Sequence, residues 1–276
     1  MTIQQINQLV QEGEALKTIA AAYTEISALR LRKIRQQVLK TRAFFVEVLN
    51  IHAMLKHIVL QKRKPETLKG DLVNIVLTSN NRFYGHIESD LIKFFLSQRK
   101  LGDIFVVGKI GKEDFTALGF TFTPIILKDD VPSPQELKEL VDKVKKYQAI
   151  LIYYSRFQSV VNQTPVVVDI TQSQAKAAVL SEKLEELYIF EPEVPKILDF
   201  FDTQLKQVLI EQTFLETELA RTASKLISMD KAQQNADEFI KNQNHLLSQA
   251  KRSIKNARIL EIIASLQSKE RRYESY

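Results

Sequence analysis

The sequence has no cysteine and no tryptophan, and only seven glycines and seven prolines among its 276 residues. Without thiols the chain can form neither a disulfide nor a thiolate metal site, and it has no cysteine nucleophile, which fits a reducing compartment. Sparse glycine and proline, with 26% charged and 45% apolar residues, describe a helix-rich folded protein and not a disordered one. Long apolar runs are missing as well. The longest, such as AILIYY at 149–154, fall far short of the ~20 residues that cross a bilayer. Over residues 1–20, Gln4, Gln5, Gln8, Gln11, Glu12 and Glu14 break every apolar stretch, so no secretory signal is expected. The chain is expected in the aqueous phase, where it can still sit beside a membrane.

Positive charge in excess is absent from most of the chain. The net charge is +6, but residues 1–40 carry +3 and residues 251–276 carry +4, while the 210 residues between them total −1. A basic excess confined to the two ends favours an acidic partner surface or nucleic acid.

What the sequence has in quantity is helical periodicity at both ends. From Leu205 to Ala257 sixteen positions alternate by three and four, and twelve of them are apolar. That is the period of a coiled coil, weakened and made register-specific by Gln212, Thr222, Gln233 and Gln243. At 1.5 Å per residue this stretch alone spans roughly 80 Å. The N-terminal part gives one seam through Leu16, Ile19, Tyr23 and Ile26. After a one-residue phase shift a second runs from Leu31, Ile34 and Val38 to Val59. Paired antiparallel, the two helices would bring the two basic ends together. The apolar stripe of SQAKRSIKNARILEIIASLQ (248–267) would then pack on the N-terminal helix.

Between the helices the pattern changes to short apolar strands, at 72–78, 103–108, 120–126 and 149–157, with helices near 87–99, 111–118 and 134–147. Such alternation predicts a largely parallel α/β sheet. VVNQTPVVVDI (160–170) and EELYIFE (185–191) add strands at an edge or hairpin. The predicted fold is an α/β domain inserted between two long terminal helices that pair as an antiparallel coiled coil. Residues 1–61 form the first helix, 70–190 the Rossmann-like domain and 191–276 the second helix.

Catalytic chemistry is hardly represented. There is no phosphate-binding P-loop, no dinucleotide fingerprint and no nucleophile elbow. His52, His57, His86 and His245 are scattered without ligand spacing, so no metal site is assigned. VVGKIGKEDF (106–115) places Gly108, Lys109, Gly111 and Lys112 at a strand-to-helix turn. It is either an anion cradle or a tight turn with solvated lysines. TSNNRFYGH (78–86), with Arg82 and Gly85, follows a buried strand; it is either a ligand turn at a strand's carboxyl end or a structural turn. Asp129 and Asp130 read as loop and helix-cap chemistry, and EKLEEL (182–187) reads as a solvated face. No catalytic, cofactor-binding or metal residue is assigned, and no cofactor is expected.

In four ordered segments the chain resembles the gamma subunit of F-type ATP synthases. Tyr154, Phe157, Ser159, Gln163 and Pro165 match the family's strand in YYSRFQSVVNQTPVVVDI. Glu191, Pro192, Ile197, Leu198 and Asp199 match its entry into the C-terminal helix. Met229, Ala232, Asn235 and Ala236 resemble its methionine-to-asparagine-alanine stretch, and Ala250, Lys251, Glu261, Ile262 and Ile263 its last helical segment. The chain departs from the family at three places, one of them the tip, where polar and acidic positions of the family's last helix are Arg252, Asn256 and Arg258 here. Of the family's turn (Asp, Arg, Gly, Leu, Cys, Gly, Gly) laid on residues 80–86, only Gly85 is kept: Asn80 replaces the acid, Arg82 comes one place late and His86 stands for the last glycine. In IAAAY (19–23) the family's lysine is Ala21.

The resemblance implies a non-catalytic rotor shaft of an ATP synthase or ATPase. Its paired helices would rise through a ring of alpha and beta subunits, and its α/β domain would sit with an epsilon subunit on a membrane c-ring. The chain would thus be a peripheral subunit at the cytoplasmic face of a bacterial cell membrane, coupling rotation to nucleotide chemistry in the ring and to proton translocation. Arg252, Asn256 and Arg258 stand where the family contacts the beta subunits, whose acidic levers a basic tip would attract. A shaft that slides is expected to avoid large outward apolar patches. The alternative within this architecture is the shaft of a diverged motor without a proton-driven rotor. Nucleic-acid binding is disfavoured because the basic arm lacks interleaved aromatics, and an enzyme is disfavoured by the missing motifs.

Overall fold

The computed structural model describes residues 2–60, 71–170 and 194–273. Helix α1 (Ile3–Leu60) and a C-terminal helix, α5 (Val194–Tyr273), bracket a sheet and its helices. These run β1 (Leu72–Leu77), α2 (Ile87–Gln98), β2 (Asp103–Val107), α3 (Lys109–Ala117), β3 (Thr123–Ile125), α4 (Pro134–Val144), β4 (Ala149–Phe157) and β5 (Gln163–Asp169). The strand expected at 185–191 lies outside the described residues.

The strand order is β3-β2-β1-β4-β5, parallel except for β5, which runs antiparallel to β4. Side chains alternate between the two faces of β1. Val73, Ile75 and Leu77 pack with Leu140, Val141 and Val144 of α4 and with Leu209, Ile210 and Phe214 of α5. Val76 turns the other way, toward Leu91 and Phe95 of α2 and Phe115 of α3. There Phe95 sets its ring edge-on to Tyr153, with centroids 4.9 Å apart. Because both faces are covered, β1 and the first six residues of β4 are apolar on both sides apart from buried Asn74.

The strand predicted across 120–126 is shorter than expected, because the exit from α3 uses its first half. Gly119, in the left-handed region at φ 72°, sends its N–H to Thr116, and the Phe120 N–H returns to the Phe115 carbonyl. Phe120 and Phe122 then pack against Phe115. Helix α4 starts at a capping box: Ser133 Oγ accepts from the Glu136 N–H, and the Glu136 carboxylate accepts from the Ser133 N–H at 2.8 Å.

The chain divides into two compact units, Met1–Ile26 with Met229–Tyr276, and Ser27–Ser228. In the first, α1 and α5 pair antiparallel: Gly13 lies against Phe239 and Ile240, and Lys17 Nζ meets Asp237 Oδ1 at 2.6 Å. On α5 the shielded positions are Met229, Gln233, Ala236, Ile240, Gln243, Leu247 and Ala250, the three-four alternation read from the sequence. On α1 the seam differs from the expected one. Ile6, Gly13 and Ala20 are buried, whereas Leu16, Ile19, Tyr23 and Ile26 are 63%, 54%, 41% and 58% exposed. Small residues let the backbones approach closely: a Cβ on Gly13 would come within 2.9 Å of Ile240 Cγ1. The large residues are thereby left on the outer face. In the second unit the seam through Leu31, Ile34 and Val38 stands as expected, packed on Leu215 and Leu219.

The stripe in 248–267 does not pack on α1 along its length. With Gly13 opposite Ile240 and Lys17 opposite Asp237, the antiparallel register brings Ile3 level with about residue 250. Every residue from 251 to 266 is exposed, so the seam ends at Ala250. Ile254, Ile262, Ile263 and Leu266 therefore face outward, and the outer surface is not poor in large apolar groups as sliding would suggest.

Candidate functional site

An open α/β sheet presents its ligand crevice where the strand order reverses, beyond the carboxyl ends of the strands. Here α2 and α3 cover one face and α4 the other, so the reversal falls between β1 and β4. The chain itself fills that place. Every residue of α5 from Thr213 to Ser224 is buried, and Arg221, 1% exposed, points into the end of the sheet. Its Nε donates to Glu88 Oε1, in the first turn of α2, at 2.8 Å. One Nη donates to the carbonyl of Leu77, the last residue of β1, also at 2.8 Å.

Neighbouring groups complete the joint. Ser224 Oγ donates to the Tyr84 carbonyl at 2.7 Å, and Tyr154 O–H from β4 donates to Glu216 at 3.1 Å. Arg30 of α1 reaches Glu218 at 2.7 Å. Burial raises the Glu218 pKa above the usual carboxylate range, while Arg30 and Arg221 pull it back down. Burial, followed by the nearby Glu216 carboxylate, pushes the Tyr154 hydroxyl up to about 12. Burial also raises Tyr84, with Glu218 and Asp130 adding to the effect. These phenols are held as neutral hydrogen-bond donors.

The turn at 78–86 is organised by Asp130. Its carboxylate accepts from the Asn80 N–H at 2.6 Å, from Tyr84 O–H at 2.8 Å and from Asn81 Nδ2 at 3.4 Å. Asp130 is therefore the hub of this turn and not helix-cap chemistry; Ser133 is the cap. Gly85, in the left-handed region at φ 63°, lets α5 approach, since a Cβ there would lie 2.7 Å from Ser228 Oγ. Arg82 points outward, with a side chain 73% exposed, and pairs with Glu113 at 2.7 Å. Beside it Phe83 adopts φ 75° with its ring 71% exposed.

The turn around Gly108 has no amides to spare for an anion. The N–H groups of Gly108, Lys109, Ile110 and Gly111 donate to Ile125 O, Asn80 Oδ1, Ser79 O and Thr78 Oγ1. A Cβ on Gly108 would run into the Thr78 carbonyl, and one on Gly111 into the Thr78 side chain. These glycines serve the contact between two turns. Among the described residues no group of three or more His, Cys, Asp or Glu side chains is placed to hold a metal ion.

Arg252, Asn256 and Arg258 lie on the exposed length of α5 beyond Ala250, apart from the joint. Sequence reasoning missed Arg221, Glu88, Glu218 and Tyr84. The signal available was slight: Glu218 and Arg221, three apart, share one side of the helix and Glu216 stands on another, a pattern that a solvated face shows equally well.

The family profile described as ATP synthase matches residues 2–268. Curated relatives named ATP synthase gamma chain include those of Exiguobacterium sibiricum, 22% identical over 95% of this chain and 97% of the relative, and Bartonella quintana, 24% identical over 97% and 99%. Among solved structures, the fold is similar to a chain of the Euglena gracilis mitochondrial ATP synthase, with a TM-score of 0.66, 16% identity, and 96% of this chain and 94% of that one covered. It is also similar to a chain from a structure of that synthase's rotor, with a TM-score of 0.61, 15% identity, and 91% and 99% covered. With its two long helices bracketing a mixed α/β sheet, and a family match that spans nearly all of it, the chain belongs to the ATP synthase family as a gamma-type member.

Proposed function

We propose that the chain is the central-stalk subunit of a rotary ATP synthase or ATPase, a shaft that transmits torque and performs no catalysis itself. One observation carries this reading beyond family membership. In the paired-helix unit the seam is narrow and built on small residues, and the faces turned away from it are both basic and apolar. Leu16, Ile19 and Ile26 on α1, and Ile254, Ile259 and Leu260 on α5, are at least half exposed. Lys251, Arg252, Lys255 and Arg258 lie among the latter. Two helices that needed only each other would have buried those large residues in their seam. Left outward, they suit partners that surround and cover the pair, here a ring of alpha and beta subunits, in place of the apolar-poor sliding surface first expected.

Within that ring Arg252, Asn256 and Arg258 are the candidate contact residues, with long-range attraction to acidic segments of the beta subunits. The α/β domain would rest with an epsilon subunit on a membrane c-ring. No helix among the described residues is long and apolar enough to cross a membrane, which is compatible with a peripheral position at the cytoplasmic face of a bacterial membrane. The filled crevice between β1 and β4 supports a non-enzymatic role, because the usual ligand position of such a sheet is occupied by Arg221 and Tyr154.

The test is co-expression with alpha and beta subunits. One copy per ring, with ATP-driven rotation of a probe fixed to the α/β domain, is expected. A chain that forms no complex and binds nucleic acid tightly would overturn the reading. Proton pumping by vesicles carrying the whole complex distinguishes a conventional synthase from a shaft without a proton-driven rotor.

A further inference from the structure

We infer that the Arg221 joint is the torque-bearing connection between helix α5 and the α/β sheet, with Arg221 as its positioning residue. The inference rests on the rotor reading above. A helix packed on a sheet by apolar contact alone is held strongly against separation, but such contact is non-directional. Twisting or sliding a smooth helix across a sheet exchanges one apolar contact for another. Torque is a load of that kind, and fixed polar geometry resists it.

The joint supplies such geometry on one face of α5. Arg221, Ser224 and Ser228, spaced by three and four, face the end of β1, the first turn of α2 and the turn at Tyr84 and Gly85. Five residues before Arg221, on a different side of the helix, Glu216 takes the Tyr154 hydroxyl of β4. The helix is thereby tied at 2.7–3.1 Å to two adjacent strands and to the helix that follows the first of them. Buried bonds of this kind are little weakened by salt.

Stability alone does not account for the arrangement. Burying a guanidinium and two carboxylates is costly, and an apolar side chain of similar volume is often no less stabilising. Glu88 Oε2 and Glu218 Oε2 are buried with no hydrogen-bond partner, a further cost. What the charged set adds over an apolar plug is a single angular position of α5 on the sheet.

The experiment uses the assembled complex, immobilised through its ring, with a bead on a cysteine introduced by Val161→Cys. The chain has no other cysteine, and Val161 is 81% exposed. With the ring held in one nucleotide state, the angular variance of the bead reports torsional compliance. Arg221→Met removes two of the four bonds named above. If directional bonds share the load, the joint's own stiffness halves; because the rest of the shaft adds compliance in series, the total variance rises by up to about twofold. Arg221→Lys, which can keep one anchor at a time, should fall between the two.

A residue that merely stabilises the fold would lower the melting temperature without changing compliance. Wild-type variance in an Arg221→Met complex that assembles and rotates would overturn the inference and leave the rotor reading intact. A wild-type complex that does not rotate would sink the rotor reading instead. Should Arg221→Met fail to assemble, Glu88→Met, which keeps the side-chain length and the bond to Leu77 but leaves Arg221 Nε no oxygen to donate to, must still raise the variance; an unchanged value overturns the inference.

Discussion

Replacing Gly13 with leucine separates the observed seam of the terminal helices from the one that apolar periodicity suggests. A Cβ at Gly13 would already lie 2.9 Å from Ile240 Cγ1 and 3.2 Å from Phe239 Cδ1. Leucine adds three further carbons to that gap. With the gap already closed at Cβ, overpacking costs about 2–3 kcal/mol, offset by about 1 kcal/mol because glycine is a poor helix former, leaving a net loss of about 1–2 kcal/mol. The matched control is Leu16→Gln. Leu16 is 63% exposed, and a polar substitution there should change stability by no more than about 0.5 kcal/mol. Native-state amide exchange is the suitable assay because it reads the paired segment alone. In Gly13→Leu, amides over residues 6–20 and 236–250 should exchange roughly 5–30-fold faster, the equivalent of 1–2 kcal/mol, while Leu16→Gln should leave them unchanged. The reasoning fails if the two variants behave the other way round, since the seam would then run through Leu16, Ile19 and Ile26.

Three further outcomes follow from the domain. Ser133→Ala removes the capping box of α4 and should cost about 1 kcal/mol, read as a lower midpoint in thermal unfolding followed by circular dichroism. Asp130→Ala strands the Asn80 N–H and the Tyr84 hydroxyl and should cost about 3 kcal/mol, measured by urea denaturation; Ser133→Ala serves as the mild reference. Glu218 has its pKa raised, chiefly by burial. Its contribution to stability is therefore complete below the ordinary glutamate range and is lost as pH rises through the raised value. Melting temperatures collected from pH 4 to 8 should show a smaller decline for Glu218→Gln than for the wild type.

The sequence made the architecture legible because its signals were of two clean kinds. The three-four alternation on α5 matches the shielded positions down to Ala250, and short apolar runs such as LVNIVLT and AILIYYSRF between helical segments read as strands. Where the reading of α1 failed, the cause was size. Gly13, Ala20 and Ser27, the last 2% exposed, carry little apolar character, so a search for large apolar residues passed over the buried line and selected the exposed one. The joint at Arg221 was hidden for a different reason. A buried guanidinium is written with the same letter as a solvated one, and its partners Glu88 and the Leu77 carbonyl lie 133 and 144 residues away. Asp130 was visible as a loop acid, yet its role depends on Asn80 and Tyr84, which reach it only once the sheet has formed.

As the shaft of a rotary complex, this chain must turn within a partner ring. The most direct measurement is rotation of a bead fixed at Val161→Cys in the ring complex during ATP hydrolysis. Unidirectional rotation from one copy of the chain per ring is expected. ATP hydrolysis by the same complex with a stationary bead, at full occupancy of the chain, would contradict it.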